Sequence, residues 1–505
     1  MRKRLFVILA VVAVGGLLSS AAVVHAQNPP PCTQRQCPTT GISCSFFGLH
    51  INQTDAVQQI SDDPWPTTEN VCFGIFRTHD ANGDLLRYSQ YGLKWSDIET
   101  SQGNYVFGSL DEWVEQFVPH GGDQGIIFTG FWTPSFWSSD PTDQCGNTDG
   151  NPYRPYGGCD LPQNSDGSYN PQPWKSFISA VVQHMTTKWP GTLKYIEVWN
   201  EPSDSNKCNP NHNYCTPAEL ARMTSDANYI VSHPPTGIQI ISPPLANGGF
   251  EGSNSYFQQL LTAGIANPGY ANVIGFHGYP GEPPDTTMIE EIGDVTNLLS
   301  ANGTPLPIFD TESSWESKDE ISGKDGNYDD EDMKSQAAWL AASYLVQAYY
   351  TTLPTSQSYL IGSAFDGWDY GPNSYSDYPY AVHALWNTGS WGNDQEGLTR
   401  AGVAYQNVYW WLLGATPTSA CSQSILAGNT VFGCNFTNQA QQGQTQAVWY
   451  SCSDGQYDCG TSYSYSPPFT YYLTLTGQVC QLSNGSVQID SSPILLVTGT
   501  WTPSC

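Results

Sequence analysis

Glu201 and Glu312 each stand where a short apolar run stops, in Val198-Trp199-Asn200-Glu201-Pro202 and in Phe309-Asp310-Thr311-Glu312-Ser313. Two carboxyl groups so placed could hydrolyse an acetal. One, as the acid, protonates the leaving oxygen, and the other, as carboxylate, attacks the ring carbon or activates a water from the opposite side. A gap of ~5 to 5.5 Å between them gives retention through a covalent intermediate, and ~6.5 to 9.5 Å gives inversion. Spacing along the chain does not set that gap. Other side chains that bind or orient polar groups gather at similar run ends: Arg77, then Phe276-His277-Gly278-Tyr279, then Asp366-Gly367-Trp368.

These residues can converge only if the runs carrying them are neighbouring strands that end on one side of a sheet. Eight runs have strand character: Ser45 to His50, Val71 to Arg77, Gly125 to Thr129, Leu193 to Val198, Ile238 to Ser242, Val273 to His277, Leu306 to Asp310 and Tyr359 to Phe365. Helical stretches lie between several of them. Trp174, Phe177, Ile178, Val181, Val182 and Met185 recur with helical spacing, and further helices are predicted from Asp332 to Tyr349 and from Leu398 to Leu413. The helical pattern after the first two strands is weak. The alternation predicts an α/β fold, a (β/α)8 TIM barrel over residues 44–414. A doubly wound open sheet is the alternative, but no Gly-rich phosphate loop follows any strand. In a closed barrel the reactive residues belong at the C-terminal strand ends, and the fourth and seventh strands face each other across the mouth. Beyond Gly414 the pattern changes to Thr- and Tyr-rich alternation, as in Tyr471 to Thr476 and Ile494 to Val497. This predicts a small C-terminal β-sandwich over 415–505. Residues 27–43 are too few for a domain and read as an extension.

Each candidate has a structural reading beside the chemical one. Asn-Glu-Pro can be a plain strand-to-loop junction, Arg77 can be a structural ion pair, and Trp132, Phe136 and Trp137 can be core. Glu197 rivals Glu201 but lies within its strand, and Asp310 rivals Glu312 from two residues away. The acidic run from Asp325 to Asp332 and the triplet Asp80, Asn82, Asp84 raise the question of calcium, but the first reads as a solvated loop capping a helix and the second lacks the Gly and terminal Glu of a calcium loop. No metal and no cofactor is expected. The sequence has neither a Gly-x-Ser-x-Gly elbow nor a His-Glu-x-x-His helix.

Composition narrows the partner. A formal net charge of −29 disfavours nucleic acid and anionic membranes, either of which would need a basic stripe for phosphate. The 17 Trp and 29 Tyr suit an uncharged ligand with ring faces and hydroxyls. Arg2, Lys3 and Arg4 precede an apolar run that closes on Val24-His25-Ala26, so residues 1–26 read as a secretory signal and the mature chain as secreted or periplasmic. All 14 cysteines follow that segment, and in an exported chain they read as disulfides. Their clustering suggests local staples, with Cys145 near Cys159 and Cys208 near Cys215, a zinc site being the alternative for the latter.

Trp-Asn-Glu-Pro after the fourth strand, His-x-Tyr after the sixth and Glu after the seventh resemble the clan A glycoside hydrolases. Arg77, the segment from Trp95 to Leu110 with Asp97, Ile98, Glu99, Gly103 and Tyr105, and the terminal sandwich are most similar to family 39, the β-xylosidase and exopolysaccharide hydrolase group. The resemblance implies a retaining hydrolase acting on a polysaccharide or oligosaccharide, with an endo-acting β-glycanase slightly favoured over a β-xylosidase-like exo enzyme. It implies Glu201 as acid/base and Glu312 as nucleophile, with Arg77 and Tyr279 as donors to Glu312. Asn200 would bond the sugar 2-hydroxyl, and His277 would hold the sugar or Glu201. Trp368 would form the subsite floor, and Trp132 and Trp315 its walls. The alternative is a barrel that binds carbohydrate without turning it over.

Overall fold

The computed structural model describes residues 31–505 apart from 33–35, 52–63, 80, 82–92, 119–124, 144–156, 205–207, 209–214, 247–248, 251, 253–254, 281–283, 315–329, 355, 369–383, 388–396, 427, 439–442, 452–458 and 467. The signal reading for residues 1–26, Trp315, Cys145, and the calcium readings at Asp80, Asn82 and Asp84 and at 325–329 therefore lie outside the described residues.

Eight parallel strands form the sheet that was expected: β1 (Phe47–His50), β2 (Ile75–Arg77), β3 (Gly125–Gly130), β4 (Leu193–Val198), β5 (Gln239–Ile241), β6 (Ile274–Gly278), β7 (Ile308–Ser313) and β8 (Leu360–Phe365). The hydrogen-bonded order runs from β5 through β4, β3, β2, β1, β8 and β7 to β6. Parallel bridges Ile241 to Val273 and Leu245 to Phe276 link the two edge strands, so the barrel is nearly closed. Most strand positions are buried, because one face looks into the barrel and the other under the helices.

The helices are α1 (Gly108–Phe117), α2 (Pro171–Lys188), α3 (Pro217–Ser232), α4 (Tyr256–Thr262), α5 (Pro284–Ala301), α6 (Asp330–Tyr350) and α7 (Arg400–Leu412). The six apolar residues that recur in α2 are all buried. Thr216 starts α3 with a capping box, its side chain and that of Glu219 each satisfying the other's backbone N–H. Among the described residues, β1 is followed only by the short 3-10 turn Pro66–Glu69, in keeping with the weak helical pattern there. A single helical turn, Trp95–Ile98, and a short hairpin precede α1.

Sequence boundaries moved in two places that matter. Ser45 and Phe46 belong to a 3-10 turn, Cys44–Phe46, because the Ser43 hydroxyl caps the N–H of Ser45. The seventh strand, read as stopping at Asp310, continues through Glu312 to Ser313.

Antiparallel strands after Thr416 form the C-terminal sandwich, led by the long pair Asn429–Asn438 and Gly443–Ser451. Ile42 of the extension exchanges backbone bonds with Gly414 and Ala415 at the junction of the two units. Disulfides Cys32–Cys72, Cys37–Cys44, Cys208–Cys215, Cys421–Cys434 and Cys480–Cys505 confirm local stapling and replace the zinc alternative at Cys208 and Cys215. Among the described residues no helix is long and apolar enough to cross a membrane.

Candidate active site

The mouth of the barrel is built from strand ends. After β4 the chain turns abruptly: Trp199 and Glu201 both take left-handed backbone conformations, φ 67° and 45°. Residues other than Gly avoid that region, at a cost of ~1 to 3 kcal/mol each, so the surroundings must impose it. The Trp199 N–H donates to Gly130 O, and the Glu201 N–H donates to Pro244 O, which ties the turn to the strands on either side. The strain aims Asn200 and Glu201 into the mouth.

On β7 a local irregularity decides which carboxyl faces it. Phe276 of β6 pairs with Asp310, but the next residue, His277, pairs with Glu312, so Thr311 is an extra residue in the ladder. Simple alternation would put Asp310 and Glu312 on one face; the bulge separates them. Asp310 points behind the barrel wall, where Gly278 N–H, the Ser363 hydroxyl and the Gln347 amide donate to it at 2.9, 2.9 and 3.2 Å. A Cβ on Gly278 would meet that carboxylate at 2.9 Å, which explains the glycine. Burial pushes Asp310 up to about 7 in spite of these donors. Its donors thus hold it behind the wall, away from the mouth.

Glu312 faces the mouth with charged and phenolic partners. Arg77 Nη1 donates to its Oε2 at 2.6 Å, and the Tyr279 hydroxyl donates to its Oε1. Burial works to raise the carboxyl, but the positive charges of His277, Arg77, His50 and His79 outweigh it and hold Glu312 below the ordinary carboxylate value. Glu201 lies against His277, whose Nδ1 is 2.7 Å from Glu201 Oε1. Ligating atoms of Glu201, His277 and Glu312 all lie within 4.8 Å of one another. The two carboxyls therefore converge as their strand positions suggested.

Arg77 serves more than one partner. It reaches Glu197 through Nε and Asn200 Oδ1 through Nη2, at 2.9 and 2.8 Å. The Asn200 Nδ2 is buried with no partner among the described residues. His50 Nε2 donates to Thr311 O, 2.8 Å away, and its other nitrogen is 3.7 Å from Asp366. His50, His79 and Glu197 were not singled out as site residues from the sequence. Glu197, read there as a rival acid, is instead an ion-pair partner inside the barrel. The signal for it was present: Arg77 ends an apolar run and Glu197 stands between the apolar Ile196 and Val198, and opposite charges buried in one barrel need each other.

The aromatic residues are less open than the resemblance implies. Trp368 is fully buried, its ring stacked on Trp386 with centroids 5.6 Å apart and its Nε1 donating to Pro64 O. Trp132 is buried against Phe131, and Phe131 in turn stacks on His79. Both tryptophans pack within the wall and do not present an open face.

His50, His79, His277, Glu201 and Glu312 are types that can hold a metal, but Arg77 donates into their midst and opposes a cation. Asp143, Cys159 and Asp160 form a second cluster of such types, in which the sulfur of Cys159 is committed to a disulfide.

No protein-family model matches the chain, and no curated protein matches it in sequence. Solved structures do. A conserved exported protein from Bacteroides fragilis aligns with TM-score 0.58 and 13% identity over 92% of this chain and 99% of that one. A monomeric beta-xylosidase from Caulobacter crescentus aligns with TM-score 0.55 and 14% identity over the same shares. The catalytic domain of GH30 xylanase C from Talaromyces cellulolyticus aligns with TM-score 0.50 and 13% identity, again over 92% and 99%. Barrel and sandwich together thus share the fold of these three structures.

Proposed function

We propose that this protein is a retaining glycoside hydrolase with Glu201 as general acid/base and Glu312 as nucleophile. One observation carries the reading: carboxyl oxygens of the two residues lie within 4.8 Å of each other in a buried mouth. That closest approach accords with the ~5 to 5.5 Å of double displacement and falls short of the ~6.5 to 9.5 Å of inversion.

In the first step Glu201 gives its proton to the glycosidic oxygen while Glu312 attacks the anomeric carbon. The C–O bond breaks, and a glycosyl ester of Glu312 forms. In the second, Glu201 removes a proton from water, which attacks the same carbon and releases Glu312. Arg77 and Tyr279 keep Glu312 charged before attack and receive it again as leaving group. Asn200, its Oδ1 held by Arg77, has Nδ2 free to bond the sugar 2-hydroxyl as positive charge develops on the ring. His277 bonds Glu201 and acts on the proton donor.

The substrate class is a β-linked polysaccharide or its oligomers, acted on outside the cytoplasm, in keeping with the disulfides and the acidic charge. Endo action is favoured because the loop after β3 is long and pinned: Gly157, Gly158 and Asp160 bond back to Asp143, Thr133 and Gly157, and Cys159 is disulfide-bonded. A screen of β-glucans, xylans and aryl β-glycosides, with product sizes read by chromatography, tests the proposal. Cleavage by the wild type that disappears in Glu201→Gln and Glu312→Ala supports it. Binding without turnover, or turnover surviving both changes, refutes it.

A further inference from the structure

Arg77 on β2 and Glu197 on β4 are both fully buried inside the barrel. A single oxygen of Glu197, Oε1, collects three donors: Arg77 Nε at 2.9 Å, Arg77 Nη2 at 2.5 Å and Thr129 Oγ1 at 3.0 Å. The guanidinium plane is thereby fixed. Its remaining donors point to Glu312 Oε2 at 2.6 Å and Asn200 Oδ1 at 2.8 Å, the two residues that would meet the sugar. One cation thus lies between two carboxylates. If it faced Glu312 alone, its full charge would quiet the attacking oxygen.

We propose that Glu197 is a positioning residue for glycosidic cleavage, which fixes Arg77 in the orientation that serves Glu312 and Asn200 and takes up enough of its charge to keep Glu312 reactive. The proposal rests on the hydrolase reading above. The other groups facing Glu312 are His50 at the end of β1, His79 after β2, Glu201 after β4, His277 on β6, Tyr279 just after β6, and Asp366 after β8, whose Oδ2 is 3.4 Å from the Tyr279 hydroxyl. None of these others shares Arg77 Nε, so Glu197 can be altered without touching them.

Glu197→Gln tests this in the full-length protein. Its amide oxygen can keep the three donors, and its amide nitrogen falls where Glu197 Oε2 has no partner among the described residues. With a negative charge removed from the network, both carboxyls hold their protons less well. Both limbs of the kcat/KM pH profile are therefore expected to move to lower pH, by about half a unit or more. The quieter nucleophile is expected to lower kcat by roughly 10- to 100-fold, with KM changed far less. Glu197→Asp keeps the charge on a shorter arm. It is expected to leave the limbs in place while lowering kcat, and it serves also if the Gln protein does not fold. Wild-type kcat and limbs in Glu197→Gln would overturn the proposal. So would limbs moving to higher pH, which would mean that Arg77 had left Glu312 and that Glu197 only supports the fold. If the wild type cleaves, Glu312→Ala does not and Glu197→Gln is unaffected, only this inference fails. If the wild type cleaves nothing, the hydrolase reading itself fails.

Discussion

Glu312 in the mouth and Asp285 at the seam between barrel and sandwich are both buried, 8% and 3% exposed, and both are well supplied with donors. Asp285, in the first turn of α5, accepts from Trp449 Nε1 at 2.8 Å, the Ser451 hydroxyl at 3.0 Å and the Thr286 N–H at 2.8 Å. Even so, burial wins there and raises its carboxyl, whereas Glu312 is lowered. The difference is the charge of the donors. Neutral N–H and O–H groups satisfy lone pairs without overcoming desolvation, but Arg77 and the surrounding histidines do overcome it. A chain with 17 Lys and Arg against 46 Asp and Glu has placed a wholly buried arginine against the carboxylate proposed as nucleophile. At the seam it needs only a joint.

The contrast is broken most severely at the mouth itself. Glu312→Ala is expected to lower kcat by ~10⁴-fold or more, and Glu201→Gln by ~10² to 10⁴-fold, with less loss for aryl glycosides whose leaving group needs no proton. Circular dichroism should show both variants folded. Equal losses for activated and unactivated substrates in Glu201→Gln would contradict its role as acid.

Next comes the cation. Arg77→Met leaves Glu197 and Glu312 buried without a counter-charge, and urea unfolding should show a loss of ~3 to 5 kcal/mol together with loss of activity. A stable Met variant would show that the network is dispensable to the fold.

At the seam, Asp285→Ala strands the Trp449 N–H and the Ser451 hydroxyl, a cost of ~1 to 3 kcal/mol in unfolding free energy. Activity per folded molecule should not change. If it fell as far as in the Arg77 variant, seam and mouth would not be separate in function.

The smallest effect sharpens the electrostatic side. Asp160, in the loop after β3, is pushed up to about 7 by burial and then by the neighbouring carboxylates Asp143 and Asp140. A carboxyl raised on folding binds more protons in the native state, so its contribution to stability is present below the unfolded value of 3.8 and is lost as pH rises through about 7. Asp160→Asn should therefore raise Tm at about pH 8 and leave it nearly unchanged at about pH 4. An equal shift at both would remove the explanation.

Much of this was legible in the sequence because it is local. Runs such as Leu193 to Val198 are short and strand-like, and the Asn200-Glu201-Pro202 junction that follows is read directly from the sequence. What escaped was set by register and by distance. The extra residue at Thr311 changes no composition, yet it sends Asp310 behind the wall and Glu312 into the mouth. Asp285 and Trp449 are 164 residues apart and meet only because the sandwich packs on α5. The openness of Trp368 depends on what covers it, here Trp386. Arg77 and Glu197 were the legible pair left unread, since opposite charges inside two buried strands of one barrel are each other's natural partners.

In the proposed double displacement Glu201 serves the glycosidic oxygen and Glu312 the anomeric carbon of one sugar. Proton NMR of the first sugar released from a β-linked substrate is then expected to show the β-anomer, with the α form appearing only later by mutarotation. The α-anomer appearing first would mean inversion by water and would contradict the role given to Glu312.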